Sequence, residues 1–302
     1  MPPVLVKNAL IVDANSQLKD LLARVLPKGA WTITYAASNR DAMAAVQERG
    51  YDLVITGEKT SAVEDVELLR KVRSVRPHTR LIILTHESTP SAVLDSMRAH
   101  AFSLFSAPYR EDQLSKMIHF AMESPAWDDG IELISGTTPG WIRIRAQCQE
   151  RTANRLVQFL NEMSELPPLE REQVGNACRE MLMNAIEHGC QLDPQKNVEI
   201  EYLRAKHMIA CRIADPGPGF TLDEIPHAAI AHSPDDPLGH VAIREELGLR
   251  PGGFGILMSK NLVDELIYNQ EGNQVLLVKY LKAGTTGRRR SNSEKTEGDR
   301  AS

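Results

Sequence analysis

The sequence predicts an α/β protein in two units: a five-stranded parallel sheet with helices on both faces, then a separate region of helices and paired strands. Three observations predict it. From Val4 to Glu123 short apolar runs alternate five times with helical patterns, the order that parallel strands joined by crossover helices require. The stretch Ser124-Pro-Ala-Trp-Asp-Asp-Gly130 then breaks that order with proline, glycine and two acids, as a linker does. At 302 residues, finally, the chain is too long for one ordinary core and suits two domains of roughly 120 to 150 residues.

In the first unit, 4–12, 31–36, 53–56, 81–85 and 102–105 read as strands, and 17–25, 40–47, 63–75, 91–98 and 111–122 as helices. The strands are apolar throughout rather than alternating, as strands covered on both faces are. The functional crevice of such a sheet lies at the carboxyl ends of its strands, in the loops at Asp13, Gly57, Thr85 and Ala107. After the linker, 131–134 and 141–146 read as strands, 154–163 and 170–188 as helices, 198–203 and 208–214 as paired strands, and 256–266 as a helix. A hairpin of 265–269 and 274–281, turned at Glu271-Gly-Asn, closes the pattern. From Ala283 on no apolar periodicity remains, so 283–302 reads as a disordered tail whose Arg288 to Arg290 either touch an acidic partner or are solvated.

Composition narrows the function classes. Hydrophobic residues make up 42% of the chain and charged residues 25%, a globular balance, and the formal net charge is -5. Without a basic excess, no direct nucleic-acid partner is expected. No segment reaches the 18 or more apolar residues of a membrane span, so no membrane partner and a cytoplasmic location are expected. Cys148, Cys178, Cys190 and Cys211 lack CxxC spacing, and reduced, packed thiols are the expectation.

At its loops the first unit, residues 1–123, resembles a response-regulator receiver domain, which implies a flavodoxin-like five-stranded parallel sheet. Active receivers carry an acidic pair after the first strand, a phosphoacceptor Asp after the third, a Thr or Ser after the fourth and a Lys before a Pro after the fifth. Here the first loop reads Asp13-Ala14, the acceptor position is Gly57, the Thr is present as Thr85, and Ala107 precedes Pro108. Aspartyl phosphorylation thus lacks its nucleophile, part of its metal site and its cation. The unit reads as a degenerate receiver serving in docking or in formation of a homodimer. Glu58, beside the vacant position, either mimics a permanent negative charge or is a solvated loop residue, and Lys59 is the other candidate to fill the pocket.

Three motifs in the second unit carry chemistry. Glu180, Asn184 and His188 follow at i, i+4 and i+8 as a polar stripe, while Ala177, Met181, Ala185 and Ile186 line an apolar face. A carboxylate and an amide one turn apart can share a ligand, the first as general base and the second as oxygen donor to a hard metal such as Mg2+. The competing reading is an amphipathic helix with a solvated face. Asp215-Pro-Gly-Pro-Gly219 puts an acid at a strand end, able to accept a hydrogen bond from an exocyclic amine, with Gly217 admitting a flat ring; by itself it also reads as a turn. Gly252-Gly-Phe-Gly255 opens a helix, where backbone amides and the helix dipole cradle phosphate. No βαβ unit surrounds these glycines, so a dinucleotide fingerprint fails. His227, His232 and His240 lack zinc-site spacing, and no G-x-S-x-G elbow supports a hydrolase.

In this order and spacing the three motifs closely resemble the nucleotide-binding boxes of the GHKL or Bergerat (histidine kinase-like) ATPases, over about residues 131–282. The resemblance implies an α+β sandwich, helices on one face of a mixed, largely antiparallel sheet. The wording Asn184-Ala-Ile-Glu-His-Gly and Gly253-Phe-Gly-Ile-Leu-Met is most similar to the anti-sigma factor serine kinases. Carried over residue by residue, the resemblance implies ATP and Mg2+, with Asn184 on the metal and Glu180 activating a substrate hydroxyl. Asp215 would recognise adenine, Gly217 and Gly219 would shape its wall, Gly252, Gly253 and Gly255 would bind phosphate, and 221–250 would form a lid. Arg250 and Lys260 are weaker phosphate candidates with a surface role as the alternative, and His188 reads as a helix-end residue.

The function this implies is a protein serine/threonine kinase of a partner-switching system, with an anti-sigma antagonist-like protein or a sigma factor as partner. The rival is a nucleotide-gated binding module without phosphoryl transfer; retention of Glu180 favours the enzyme. A sensor histidine kinase fits poorly, because residues 124–168 hold neither a histidine nor room for a dimeric helical hairpin.

Overall fold

A computed structural model of the chain describes residues 6–12, 15–86, 88–123, 130–220 and 254–281. The first sheet is parallel and ordered β2-β1-β3-β4-β5, from β1 (Lys7–Val12), β2 (Trp31–Ala36), β3 (Leu53–Thr56), β4 (Arg80–Thr85) and β5 (Ser103–Ser106). Between and after them run α1 (Ser16–Val25), α2 (Asn39–Glu48), α3 (Ala62–Val75), α4 (Pro90–Arg98) and α5 (Glu111–Glu123). β3 is buried along its whole length, as its apolar run requires. Side-chain caps start the helices: Asn15 on α1, Ser38 on α2, and a reciprocal Ser61–Glu64 box on α3.

The second sheet is ordered β10-β11-β9-β8-β7-β6, and every adjacent pair is antiparallel. Its strands are β6 (Ile131–Leu133), β7 (Trp141–Gln147), β8 (Asn197–Arg204), β9 (Met208–Ala214), β10 (Glu265–Tyr268) and β11 (Gln274–Tyr280). Burial alternates along β7 and β8: Ile142, Ile144, Val198, Ile200 and Tyr202 enter the core. That core is closed by α6 (Glu150–Met163), α7 (Pro168–Asn184) and α8 (Gly255–Leu262).

Three expectations need correction. Helix α6 starts at Glu150 rather than Asn154, because Glu150 to Thr152 lack the large apolar residues by which a helix is recognised. The helix expected over 170–188 runs instead from Pro168 to Asn184 and ends in a π-turn, Ala185–Gly189, closed by Cys190 N donating to Ala185 O at 2.8 Å. Of the four thiols expected to be reduced, Cys178 and Cys211 are free and buried, but Cys148 and Cys190 form a disulfide across 42 residues. The end of β7 and the end of the π-turn meet there, which spacing in the sequence does not reveal.

The two sheets meet through α6. Residues 155, 158 and 162 form one face of this helix and read alternate backbone groups on the edge strand β5. Arg155 Nε donates to Phe102 O at 2.9 Å and Gln158 Nε2 to Leu104 O at 2.9 Å, while Ser106 N donates to Glu162 Oε1 at 3.2 Å. Ser106 Oγ and Ser88 Oγ also donate to Glu162 Oε2, at 2.6 and 2.8 Å. One apolar cluster extends across this joint, from the side of the parallel sheet under α2, α3 and α4 into the core of the second sheet. Among the described residues no helix is long and apolar enough to cross a membrane.

Candidate functional site

The prolines at 167 and 168 start α7, whose buried side carries Val174, Ala177, Cys178, Met181 and Leu182. Glu180 and Asn184 lie half-buried on the other side, one turn apart. Glu180 Oε1 is 3.5 Å from Arg179 Nη1. Its second oxygen faces the first residue of α8: a Cβ built on Gly255 would lie 3.1 Å from Glu180 Oε2. The structure thus brings the carboxylate to the amino end of the glycine-initiated helix. Gly252, Gly253 and the proposed lid with Arg250 lie outside the described residues, as do His227, His232 and His240.

The π-turn interrupts the expected stripe after Asn184. His188 is exposed, as the helix-end reading had it, and the turn instead carries Gly189 to Asp215 at the end of β9. A Cβ on Gly189 would stand 2.1 Å from Asp215 Oδ1, so no other residue fits without moving the carboxylate. Gly217 N donates to that same oxygen at 2.8 Å, and Asp215 N donates to Asn273 O at 3.0 Å. Burial raises the Asp215 carboxyl above its ordinary range, and the Gly217 amide offsets part of this. Gly219 has φ +80°, and a Cβ there would lie 1.7 Å from Glu271 O, so the glycine loop interlocks with the β10–β11 turn. Asn273 Nδ2 closes the joint by donating to Gly217 O at 3.1 Å. Beside it Phe220 and Tyr268 pack edge to face at 5.1 Å, and Tyr268 OH reaches Met181 Sδ at 3.2 Å.

Glu180 with Gly255, and Asp215 with Gly217 and Gly219, therefore form two clusters joined by α7 and its π-turn, with Asn184 at the junction. Sequence reasoning missed Gly189, Asn273 and Arg179. Gly189 ended the motif singled out, but nothing local says that a helix end will meet a strand end 26 positions on. Lys260 is exposed on α8.

At the carboxyl ends of the parallel strands, Gly57 is buried after β3, Thr85 ends β4, and Ala107 precedes Pro108 after β5; Asp13 lies outside the described residues. Glu58 turns inward with a side chain 16% exposed, accepting from Asn15 Nδ2 at 2.8 Å, whereas Lys59 is exposed. Tyr109 OH donates to Thr85 O at 2.9 Å, and burial, then the charge of Glu58, pushes its hydroxyl pKa up.

Comparison with known proteins gives two family matches. Residues 9–119 match the response regulator receiver domain, and residues 145–279 match the histidine kinase-like ATPase domain. The serine-protein kinase RsbW of Oceanobacillus iheyensis is 25% identical over 154 residues, covering 51% of this chain and 87% of that protein. The transcriptional regulatory protein ZraR of Salmonella typhimurium is 23% identical over 128 residues, 42% of this chain but only 29% of ZraR's length. A response regulator structure from Thermotoga maritima aligns at 21% identity and a TM-score of 0.37, covering 40% of this chain and 100% of that one.

Proposed function

We propose that this chain, which joins a response regulator receiver domain over residues 9–119 to a histidine kinase-like ATPase domain over residues 145–279, is an ATP-dependent protein serine/threonine kinase. It phosphorylates an antagonist protein of a partner-switching system whose other member is a sigma factor or a similar target. One observation carries the reading: Glu180 is half-buried one turn before Asn184, with one oxygen on Arg179 and the other directed at the start of α8. A module that only closed over ATP has no need of a carboxylate there. Similarity to a serine-protein kinase supports the class of acceptor.

In the reaction, the hydroxyl oxygen of the acceptor bonds to the γ-phosphorus of ATP as Glu180 takes the hydroxyl proton. The bond from that phosphorus to the bridging oxygen breaks, and ADP leaves with the electron pair. Asp215 accepts from the adenine amine, and Gly217 and Gly219 keep its wall low. The amides of Gly252, Gly253 and Gly255 receive the phosphates at the positive end of α8. Asn184 offers a hard oxygen donor, which fits Mg2+; when bound, that ion would neutralise charge on the phosphates.

The receiver serves as a docking domain. Gly57 cannot accept a phosphoryl group, the neighbouring Glu58 is held by Asn15, and the β5 edge is taken by α6 of the same chain. The kinase reading is tested by incubating the full chain, with the proteins it retains from its native host, with γ-labelled ATP and Mg2+. Label on a partner serine or threonine is expected, lost in Glu180→Gln while ATP still binds. Tight ATP-dependent retention of a partner without label would overturn the kinase in favour of a nucleotide-gated binding module.

A further inference from the structure

The Glu180 carboxylate has two oxygens in different surroundings, and the residue that separates them belongs to neither nucleotide cluster. Arg179, its neighbour on α7, spreads its guanidinium over three acceptors. Nε donates to Asn154 Oδ1 at 3.1 Å, Nη2 lies 3.5 Å from Glu150 Oε1, and Nη1 lies 3.5 Å from Glu180 Oε1. Two of these acceptors are on α6, so the planar fork is oriented by that helix before it meets Glu180. Asn154 is itself fixed: its Nδ2 donates to Glu150 O at 2.9 Å, which turns its oxygen toward Arg179. The same oxygen lies 3.4 Å from Lys116 Nζ on α5 of the receiver.

The Arg179 and Glu180 side chains are 31% and 37% exposed, and ion pairs so open contribute little to stability. Stability is therefore a poor account of a three-way contact spanning two helices. Orientation is a better one. With Oε1 held by Arg179, the carboxylate cannot rotate freely, and Oε2 stays turned toward Gly255, where the phosphate end of ATP belongs.

We propose that Arg179 is a positioning residue for Glu180, and that α6, docked on the receiver, fixes where Arg179 stands. The inference rests on the reading of Glu180 as the base. Its consequence is that the degenerate receiver contributes to the rate of phosphoryl transfer through packing alone, without being phosphorylated.

The test measures ADP formation from Mg-ATP by the full chain together with the proteins it retains from its native host, for the native protein, Glu180→Gln, Arg179→Ala, Arg179→Lys and Asn154→Ala. Arg179→Ala is expected to lower kcat about tenfold with the KM for ATP and the melting temperature nearly unchanged. Arg179→Lys should recover part of the loss, Asn154→Ala should share it in smaller degree, and Arg179→Ala should add nothing once Glu180 is Gln. If the native protein forms no ADP, or Glu180→Gln matches it, the base reading fails and this inference falls with it. If Glu180→Gln is inactive but Arg179→Ala keeps the native kcat, only this inference is overturned. A rise in KM alone would make Arg179 an ATP ligand, and a loss that Asn154→Ala does not share would remove α6 from the account; either overturns it.

Discussion

Glu180 and Gly255 face each other across the gap between α7 and α8, with room for a hydrogen at residue 255 and little for a methyl group, since a Cβ there would stand 3.1 Å from Glu180 Oε2. Gly255→Ala is therefore expected to displace the carboxylate by a few tenths of an ångström. We expect kcat for phosphoryl transfer to fall about tenfold, or about 1.4 kcal/mol in the barrier. On the proposed reading, in which Asp215 holds the adenine, ATP affinity should change less than about threefold. Kinetics and equilibrium ATP binding on the same variant check the separation.

Gly189→Ala acts on the other cluster. A Cβ 2.1 Å from Asp215 Oδ1 leaves that carboxylate no choice but to move, and Gly217 N would lose its acceptor. ATP affinity is expected to weaken at least about tenfold, equivalent to about 1.4 kcal/mol. Calorimetric titration measures it, and native affinity in this variant would remove Asp215 from the adenine site.

If Asp215 accepts from the adenine amine as proposed, its protonation should give ATP binding a pH dependence. Burial holds its folded-state pKa above the ordinary aspartate value of about 3.9, so on acidification it loses its charge earlier than an exposed aspartate does. ATP affinity should fall as the pH drops through that raised value, and Asp215→Asn should bind weakly with no such fall. For stability the sign is reversed. The folded state holds this proton more tightly than the unfolded chain, so the contribution is fully present below the unfolded pKa and is lost as pH rises through the folded one.

At the joint between the sheets, Glu162 is buried and accepts from Ser88 and from both donors of Ser106. Glu162→Ala leaves these donors without their acceptor, and a cost of about 2–3 kcal/mol in urea unfolding is expected. Glu162→Gln should cost less, because its amide oxygen still accepts. Equal stability of all three proteins would show that the joint is held by its apolar contacts alone.

Much of this was legible in the chain. The central receiver strands declared themselves through apolar runs and the helices through their periodicity, and their observed ends fall within a few residues of the expected ones. The acid and glycine motifs stood out only through their joint order and spacing, since each by itself also reads as a turn or a solvated helix face. Helix α6 shows what stayed hidden: Arg155, Gln158 and Glu162 have the spacing of a solvated face, yet each is at most 9% exposed, because their partners are backbone groups of β5 some 50 positions earlier. Local periodicity cannot distinguish a polar face that meets water from one that meets a strand edge. Nor could it foresee the π-turn, which sets Gly189 against Asp215 and leads into Cys190, the partner of Cys148.

The covering of β5 has a practical bearing on any attempt to divide this protein. Parallel sheets end in two raw margins, and a margin without a neighbour invites the same segment of another molecule to pair with it. Here a helix from the other half of the chain performs the service that a sixth strand would. Cutting between α5 and β6 would bare that margin on one fragment and, on the other, take from Arg155 and Gln158 their acceptors on the receiver backbone and from Glu162 its serine donors, so the severed halves should aggregate more readily than the intact chain.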